Sequence, residues 1–101
     1  MRELLLDATG WQSRDDFYDA FFRVVGAPTW HGRNLDALND SIGTGQINKV
    51  EVPYRIVVKN LDSAGAEAKQ LVERFAEVVH NLAETGCPVE ILVEDLPGSR
   101  N

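Results

Sequence analysis

Three short stretches of the chain are apolar and bounded by turn residues, a pattern that predicts β-strands. They span residues 3–8, 54–61 and 89–94. The first contains an unbroken run of leucines, which favours a buried strand. In the second, apolar residues occupy both alternating sets of positions, which is typical of a strand whose two faces are both partly covered.

Between the strands, apolar residues recur every three or four positions, which predicts helices. The first helix starts at Ser13, with Asp16 three residues later in the position of a capping box, and Gly26 fits its end. Its apolar face consists of Phe17, Ala20, Phe21, Val24 and Val25. We expect Trp11, which precedes the cap, to pack on this helix or on the sheet edge.

The last helix has the clearest amphipathic pattern and is predicted over residues 64–85. Asp62 or Ser63 is its expected N-cap, and Gly86 its end. Its apolar positions are Leu71, Val72, Phe75, Val78, Val79 and Leu82. Before the second strand, residues 43–53 form a longer connection in which Val50 and Val52 can be extended.

The elements follow one another as strand, helix, helix, strand, helix, strand. Strands joined by helical crossovers favour a parallel sheet with right-handed connections. The chain therefore predicts a small α/β fold, in which a three-stranded parallel sheet and three main helices form a single domain over residues 1–96. Residues 97–101 are predicted to be a disordered tail.

The chain is acidic, with a formal net charge of −6 and a pI of about 4.7. This charge argues against binding to nucleic acid, which needs a basic face, and it suits a basic protein partner. No apolar stretch reaches transmembrane length and no signal peptide is evident, so we expect a cytoplasmic protein with no membrane partner. The single cysteine, Cys87, permits no intramolecular disulfide and no zinc quartet, and we expect a small buried side chain there. No phosphate-binding glycine motif follows a predicted strand, so no cofactor is expected.

Candidate chemistry is concentrated in residues 28–42, where an aromatic loop leads into the middle helix. Asn34 is the expected N-cap of this helix, and Asp36 and Asp40 lie one turn apart on its surface. They point nearly opposite the apolar stripe formed by Leu35, Leu38 and Ile42. Spacing alone favours a solvated face; a metal site would lack further oxygen ligands, and acid–base catalysis would need a cleft. A surface for another protein's cations needs only two aligned carboxylates and a nearby aromatic side chain, which Trp30 supplies.

Two residues of the loop have alternative interpretations. Trp30 either contacts a partner or roofs the core. His31 and His80 are not at metal-ligand spacing, and the expectation for both is an ordinary polar or half-buried histidine. His31 nevertheless lies next to Trp30, so that it can touch a partner together with the indole.

The same segment resembles the signature of the barstar family of ribonuclease inhibitors. The residues that carry the resemblance are Pro28, Trp30, His31, Gly32, Asn34, Leu35, Asp36, Ala37, Leu38 and Asp40. The resemblance extends from the first strand to about residue 94 and implies a small parallel α/β domain whose strands are sequential neighbours. It also implies inhibition, inside the producing cell, of an extracellular-type ribonuclease whose active site is plugged by the acidic helix and the preceding loop.

The resemblance also implies roles for individual residues. Asp40 takes the place of the main anchoring aspartate, Asp36 that of a second acidic contact, and Trp30 that of a contacting aromatic residue. Three positions depart from the family pattern and leave the identity of the partner open. Asn39 replaces a tryptophan, Thr44-Gly45 an aromatic residue, and Asn81 a glutamate.

The first hypothesis is an intracellular immunity or antitoxin protein, monomeric when free, that blocks a basic ribonuclease without metal or cofactor. Its expected contact residues are Trp30, His31, Asn34, Asp36, Asn39, Asp40 and Thr44. The alternative is an interaction module of the same fold directed at a non-ribonuclease toxin or a regulatory partner. A small enzyme is the least favoured reading, because the sequence offers no nucleophile, metal set or cofactor loop.

Overall fold

A three-stranded parallel sheet forms one layer of the molecule. The computed structural model describes residues 1–94, so the predicted tail over residues 97–101 lies outside the described residues. The strands are β1 (Arg2–Asp7), β2 (Tyr54–Lys59) and β3 (Val89–Glu94), in the order β1-β2-β3 with β2 at the centre. Both pairings are parallel. This confirms the predicted sheet and the sequential strand order.

Helices α1 (Arg14–Val25) and α2 (Leu35–Gly43) connect β1 to β2 and begin where local caps predict. Ser13 is the N-cap of α1, and the Asp16 carboxylate accepts hydrogen bonds from the backbone N–H groups of Gln12 (2.7 Å) and Ser13 (3.1 Å). These two bonds lower the pKa of Asp16. At the other end of α1, Gly26 adopts a left-handed conformation (φ 67°) that a side chain would disfavour.

The start of the last helix, α3 (Ala66–Glu84), was predicted wrongly. Neither Asp62 nor Ser63 caps it, because residues 61–63 form a separate 3₁₀ turn and Gly65 is the N-cap. The Gly65 N–H donates to the Trp11 carbonyl at 2.8 Å, a contact between segments far apart in the sequence. That tertiary bond holds the chain extended just before the helix, so α3 starts two residues later than local capping patterns indicate.

All three helices contribute to one hydrophobic core with the inward residues of the sheet. The core includes a group of five buried aromatic rings, in which Phe17 contacts Phe75 at 5.1 Å between ring centroids and Trp11 at 5.9 Å. The predicted packing of Trp11 on the first helix is therefore confirmed. The group consists of Trp11, Phe17, Tyr18, Phe21 and Phe75.

The opposite face of the sheet is covered only in part, as the pattern of the second strand predicts. Leu5 and Leu92 are 56% and 46% exposed, and they flank Val57, which is only 3% exposed. Arg55 lies on this face and pairs with Glu3 (3.2 Å) and Glu90 (3.0 Å). Val57 is therefore shielded by side chains of its own sheet face rather than by a second layer of helices.

Candidate functional site

The helix α2 presents a polar face to solvent because its apolar stripe is fixed in the core. The Asn34 side-chain oxygen accepts a hydrogen bond from the Ala37 N–H at 2.8 Å, which confirms the predicted N-cap. Leu38 and Ile42 are buried in the core. The residues on the outward side, Asp36, Asn39 and Asp40, are all exposed.

Trp30 projects from the loop before α2 and is 72% exposed. This exposure excludes the interpretation in which the indole roofs the core. Within the described residues it is the most exposed of the large hydrophobic side chains. The loop is turned by a hydrogen bond from the His31 N–H to the Pro28 carbonyl at 3.0 Å, so the indole sits on a defined turn beside the start of α2.

His31, next in the chain, points the other way and is buried. Its Nδ1 lies 2.8 Å from the Gly32 carbonyl and must donate to it, so in the neutral ring Nε2 accepts from the Ser41 hydroxyl at 2.9 Å. The ring also packs on Phe22 of α1, 4.6 Å between centroids. The side chain is more buried than expected, and in this arrangement it ties the loop to α2 and α1.

The buried hydrogen bonds continue into the connection over residues 43–53. The Asn48 amide donates to the Ser41 hydroxyl at 3.2 Å, and both side chains are buried. The N–H groups of Lys49 and Val50 donate to the carbonyls of Gly26 and Val25 at 3.2 and 2.9 Å. The connection is therefore fastened to the end of α1, although Val50 and Val52 do not form a strand.

Sequence reasoning missed Ser41 and Asn48. The sequence contained a signal for Ser41, because this polar residue lies directly before Ile42 on the inward side of α2, where a side chain is expected to be buried. No local signal exists for Asn48, whose role depends on how the connection folds back. Together with His31 they form a buried polar network that holds the loop, the helix and the connection in one arrangement.

Gly32 lets the loop before α2 pack closely against the start of that helix. A Cβ atom on Gly32 would lie 3.1 Å from the Asn34 amide nitrogen and 3.3 Å from the Ala37 methyl group, so glycine allows the loop to approach the helix.

Thr44 is exposed and ends α2, and its N–H donates to the Asp40 carbonyl at 2.8 Å. The seven predicted contact residues thus lie on the loop, on α2 or at its end. Six of them are at the surface: Trp30, Asn34, Asp36, Asn39, Asp40 and Thr44.

The charges on this surface are not neutralised within the described part of the chain. No ion pair within residues 1–94 involves Asp36 or Asp40. Asp40 lies in the last turn of α2, where the negative end of the helix dipole disfavours a carboxylate. Both carboxylates are therefore exposed and without an ion-pair partner among the described residues. We call the exposed set Trp30, Asn34, Asp36, Asn39, Asp40 and Thr44 the α2 surface.

Three further observations concern metal ligands, membrane spans and the cysteine of residues 1–94. No group of three or more His, Cys, Asp or Glu side chains in this range could hold a metal ion. No helix in the same range is long and apolar enough to cross a membrane. Cys87 is half-buried against the core, and burial raises the pKa of its thiol, which disfavours the reactive thiolate.

Comparison with known proteins decides the family. The family model described as Barstar (barnase inhibitor) matches residues 1–94. The chain belongs to the barstar family. It is also similar to a Bacillus subtilis (strain 168) protein named "Putative ribonuclease inhibitor YrdF", with 27% identity over 84 residues that cover 83% of this chain and 88% of that protein.

Proposed function

We propose that this barstar-family protein inhibits a basic ribonuclease by placing the α2 surface over the enzyme's active site. The observation that carries the proposal is an exposed Trp30 beside two carboxylates, Asp36 and Asp40, that have no cationic partner within residues 1–94. The family description as barnase inhibitors and the name of the Bacillus relative support the ribonuclease as target.

The chemistry of such a partner follows from the surface. A ribonuclease active site is built to bind phosphates, so it presents cationic side chains that carboxylates on a rigid helix can engage. Trp30 supplies the large apolar contact that is typical of an interface hot spot. The net charge of −6 accelerates association with a basic enzyme through long-range attraction, and salt would weaken that effect.

The role in the cell belongs to the same proposal. A protein that blocks a ribonuclease of the producing cell acts as an immunity or antitoxin protein, and it must meet the enzyme in the cytoplasm. We expect the free inhibitor to be a monomer and to act without metal, cofactor or catalysis.

A second candidate is a barstar-fold module directed at a partner that is not a ribonuclease. The observation behind it is that Asn39, Thr44 and Asn81 are all exposed and all depart from the family pattern. Two of these three belong to the α2 surface, so the change would alter the contacts that select the partner.

A paired capture experiment separates the two candidates. Three baits are used. The first is the wild-type protein, and the second, the α2 variant, combines Asp36→Asn and Asp40→Asn. The third is a control that loses the same number of charges by combining Asp62→Asn and Glu73→Gln. The control residues are exposed acids on other elements. We expect wild type and control to retain a basic protein whose ribonuclease activity is blocked in the complex, and the α2 variant to lose it. A partner held equally by all three baits, or one without ribonuclease activity, contradicts the proposal.

A further inference from the structure

A cleft of about 450 Å³ opens beside the α2 surface, between the first turns of α1 and α2 and the first half of α3. Three arginines line it, an unusual concentration in a chain of net charge −6. They are Arg14, Arg33 and Arg74. Asp36, Glu67 and Tyr18 are also in its walls.

The three arginines differ in whether their guanidinium groups already form ion pairs. Arg33 is committed to Asp15 (3.1 Å) and Asp19 (2.6 Å) on α1. Within residues 1–94, neither Arg14 nor Arg74 forms an ion pair through its guanidinium group. The cleft therefore keeps two guanidinium groups available for an acceptor.

The acidic groups in the walls limit what this acceptor can be. The Glu67 carboxylate accepts a hydrogen bond from the Arg14 backbone N–H at 2.7 Å, so it is held at the start of α1. Asp36 contributes a second negative charge. The two wall carboxylates already balance the charge of the two free arginines, so a doubly charged phosphate would meet stronger repulsion in the cleft than a singly charged group. A planar carboxylate also suits the fork of a guanidinium group.

We propose that the cleft receives an aspartate or glutamate side chain of the same protein partner that the α2 surface binds. The inference rests on the proposed function, because Asn34 and Asp36 belong to both the α2 surface and the cleft wall, and a partner that covers one reaches the other. Tyr18 also lines the cleft, and its hydroxyl is a further group that can donate to a carboxylate. The partner's footprint would then carry cations opposite α2 and an acidic side chain opposite Arg14 and Arg74.

The test in the complex uses charge reversal at Arg74. Arg74→Glu places a negative charge against the inserted carboxylate, and we expect the dissociation constant for the captured partner to rise about tenfold or more. Arg23→Glu is the matched control, since Arg23 is exposed on α1 outside the cleft, and it should change the constant by less than about threefold. Equal effects of the two reversals overturn the inference.

A second measurement tests the cleft without the partner and keeps the two proposals separable. Sodium acetate is titrated into ¹⁵N-labelled protein at constant ionic strength, with sodium chloride as reference, and the arginine Nε–H signals are followed. We expect saturable shifts at Arg14 and Arg74 that are absent at Arg23, which lies outside the cleft, and each single variant, Arg14→Gln or Arg74→Gln, should weaken the response of the arginine that remains. Shifts no larger than those with chloride overturn the carboxylate site, and tighter binding of inorganic phosphate than of acetate would make it a small-anion site instead. Failure of the α2 variant to lose the partner contradicts the proposed function alone and leaves the acetate result unaffected.

Discussion

Two pairs of aspartates have the same helical spacing and opposite surroundings. On α1, Asp15 and Asp19 both bind Arg33, at 3.1 and 2.6 Å. On α2, Asp36 and Asp40 have no cationic partner within the described residues. Spacing of i and i+4 is therefore no guide to function by itself, and the position of the Arg33 side chain decides which of the two pairs forms ion pairs within the described residues.

Arg33 pairs with the aspartates of α1 rather than with those of α2, although it lies directly before the N-cap of α2. Its side chain reaches back to α1 rather than forward, and its guanidinium carbon lies 5.5 Å from the centre of the Phe22 ring. One arginine thereby pairs with both aspartates on α1, links the loop that carries Trp30 to that helix, and leaves α2 acidic. A cation turned toward α2 instead would have weakened the surface we propose to bind a ribonuclease.

The largest expected effect is on binding. Asp40→Ala should raise the dissociation rate of the cognate ribonuclease by an amount equivalent to about 2–5 kcal/mol, because it leaves a cation of the enzyme buried and unpaired. Asp19→Ala, the same change in the neutralised pair, should cost less than about 0.5 kcal/mol of binding. Surface plasmon resonance with both variants measures the contrast, and similar losses would show that the two pairs do not differ in function.

A smaller effect is expected on folding, through the network that holds α2 in place. Ser41→Ala removes the hydroxyl shared by His31 and Asn48 and leaves buried polar groups unpaired, so the free energy of unfolding should fall by about 1–3 kcal/mol. Urea unfolding followed by circular dichroism gives the value. Ser63→Ala, at an exposed site in the 3₁₀ turn, is the control and should stay within about 0.5 kcal/mol of wild type. A wild-type stability for the Ser41 variant would mean that the network does not fix the loop.

The two pairs should also respond to neutralisation with opposite signs in the free protein. Asp40→Asn relieves repulsion from Asp36 and removes a charge from the negative end of α2, so it should stabilise the fold by about 0.5 kcal/mol. Asp19→Asn breaks an exposed ion pair with Arg33 and should destabilise by a similar amount. Thermal unfolding at low ionic strength resolves the signs, and 1 M salt should reduce both effects. A stabilising substitution that abolishes binding would identify Asp40 as retained for function at a cost to stability.

Local patterns predicted most of the fold because its caps are local. Ser13 and Asp16 fix the start of α1, and Asn34 fixes that of α2, through bonds that span three or four residues. The start of α3 could not be found in this way, since it depends on the bond between Gly65 and Trp11. The burial of Val57 was predictable, but the groups that shield it were not, because a buried strand residue has the same sequence pattern whether helices or neighbouring side chains cover it.

In the candidate site, too, the features set by local sequence patterns were predictable, and those set by tertiary contacts were not. The acidic face of α2 follows from periodicity, so the exposure of Asp36 and Asp40 was predictable. The direction of Trp30 and the pairing of Arg33 depend on how the loop crosses α1, and no local pattern contains that information. The arginine cleft escaped for the same reason, since its residues come from three helices that only the tertiary fold brings together.

A third acidic site, Asp7 at the end of β1, extends the comparison to low pH with the smallest expected effect. Its carboxylate accepts hydrogen bonds from the Asn60 amide (3.0 Å) and the Thr9 N–H (2.9 Å), and these bonds lower its pKa to about 2 from an ordinary value of 3.8. Because the folded-state pKa is the lower one, this stabilisation is present above about pH 4 and is lost as the pH falls toward 2. Asp7→Asn should therefore flatten the dependence of unfolding free energy on pH between 4 and 2, measured by urea unfolding of the variant and the wild type at each pH. An unchanged slope in the Asp7 variant would mean that its hydrogen bonds do not persist in solution, and that Asp7, like Asp36 and Asp40 on α2, lacks a partner in the free protein.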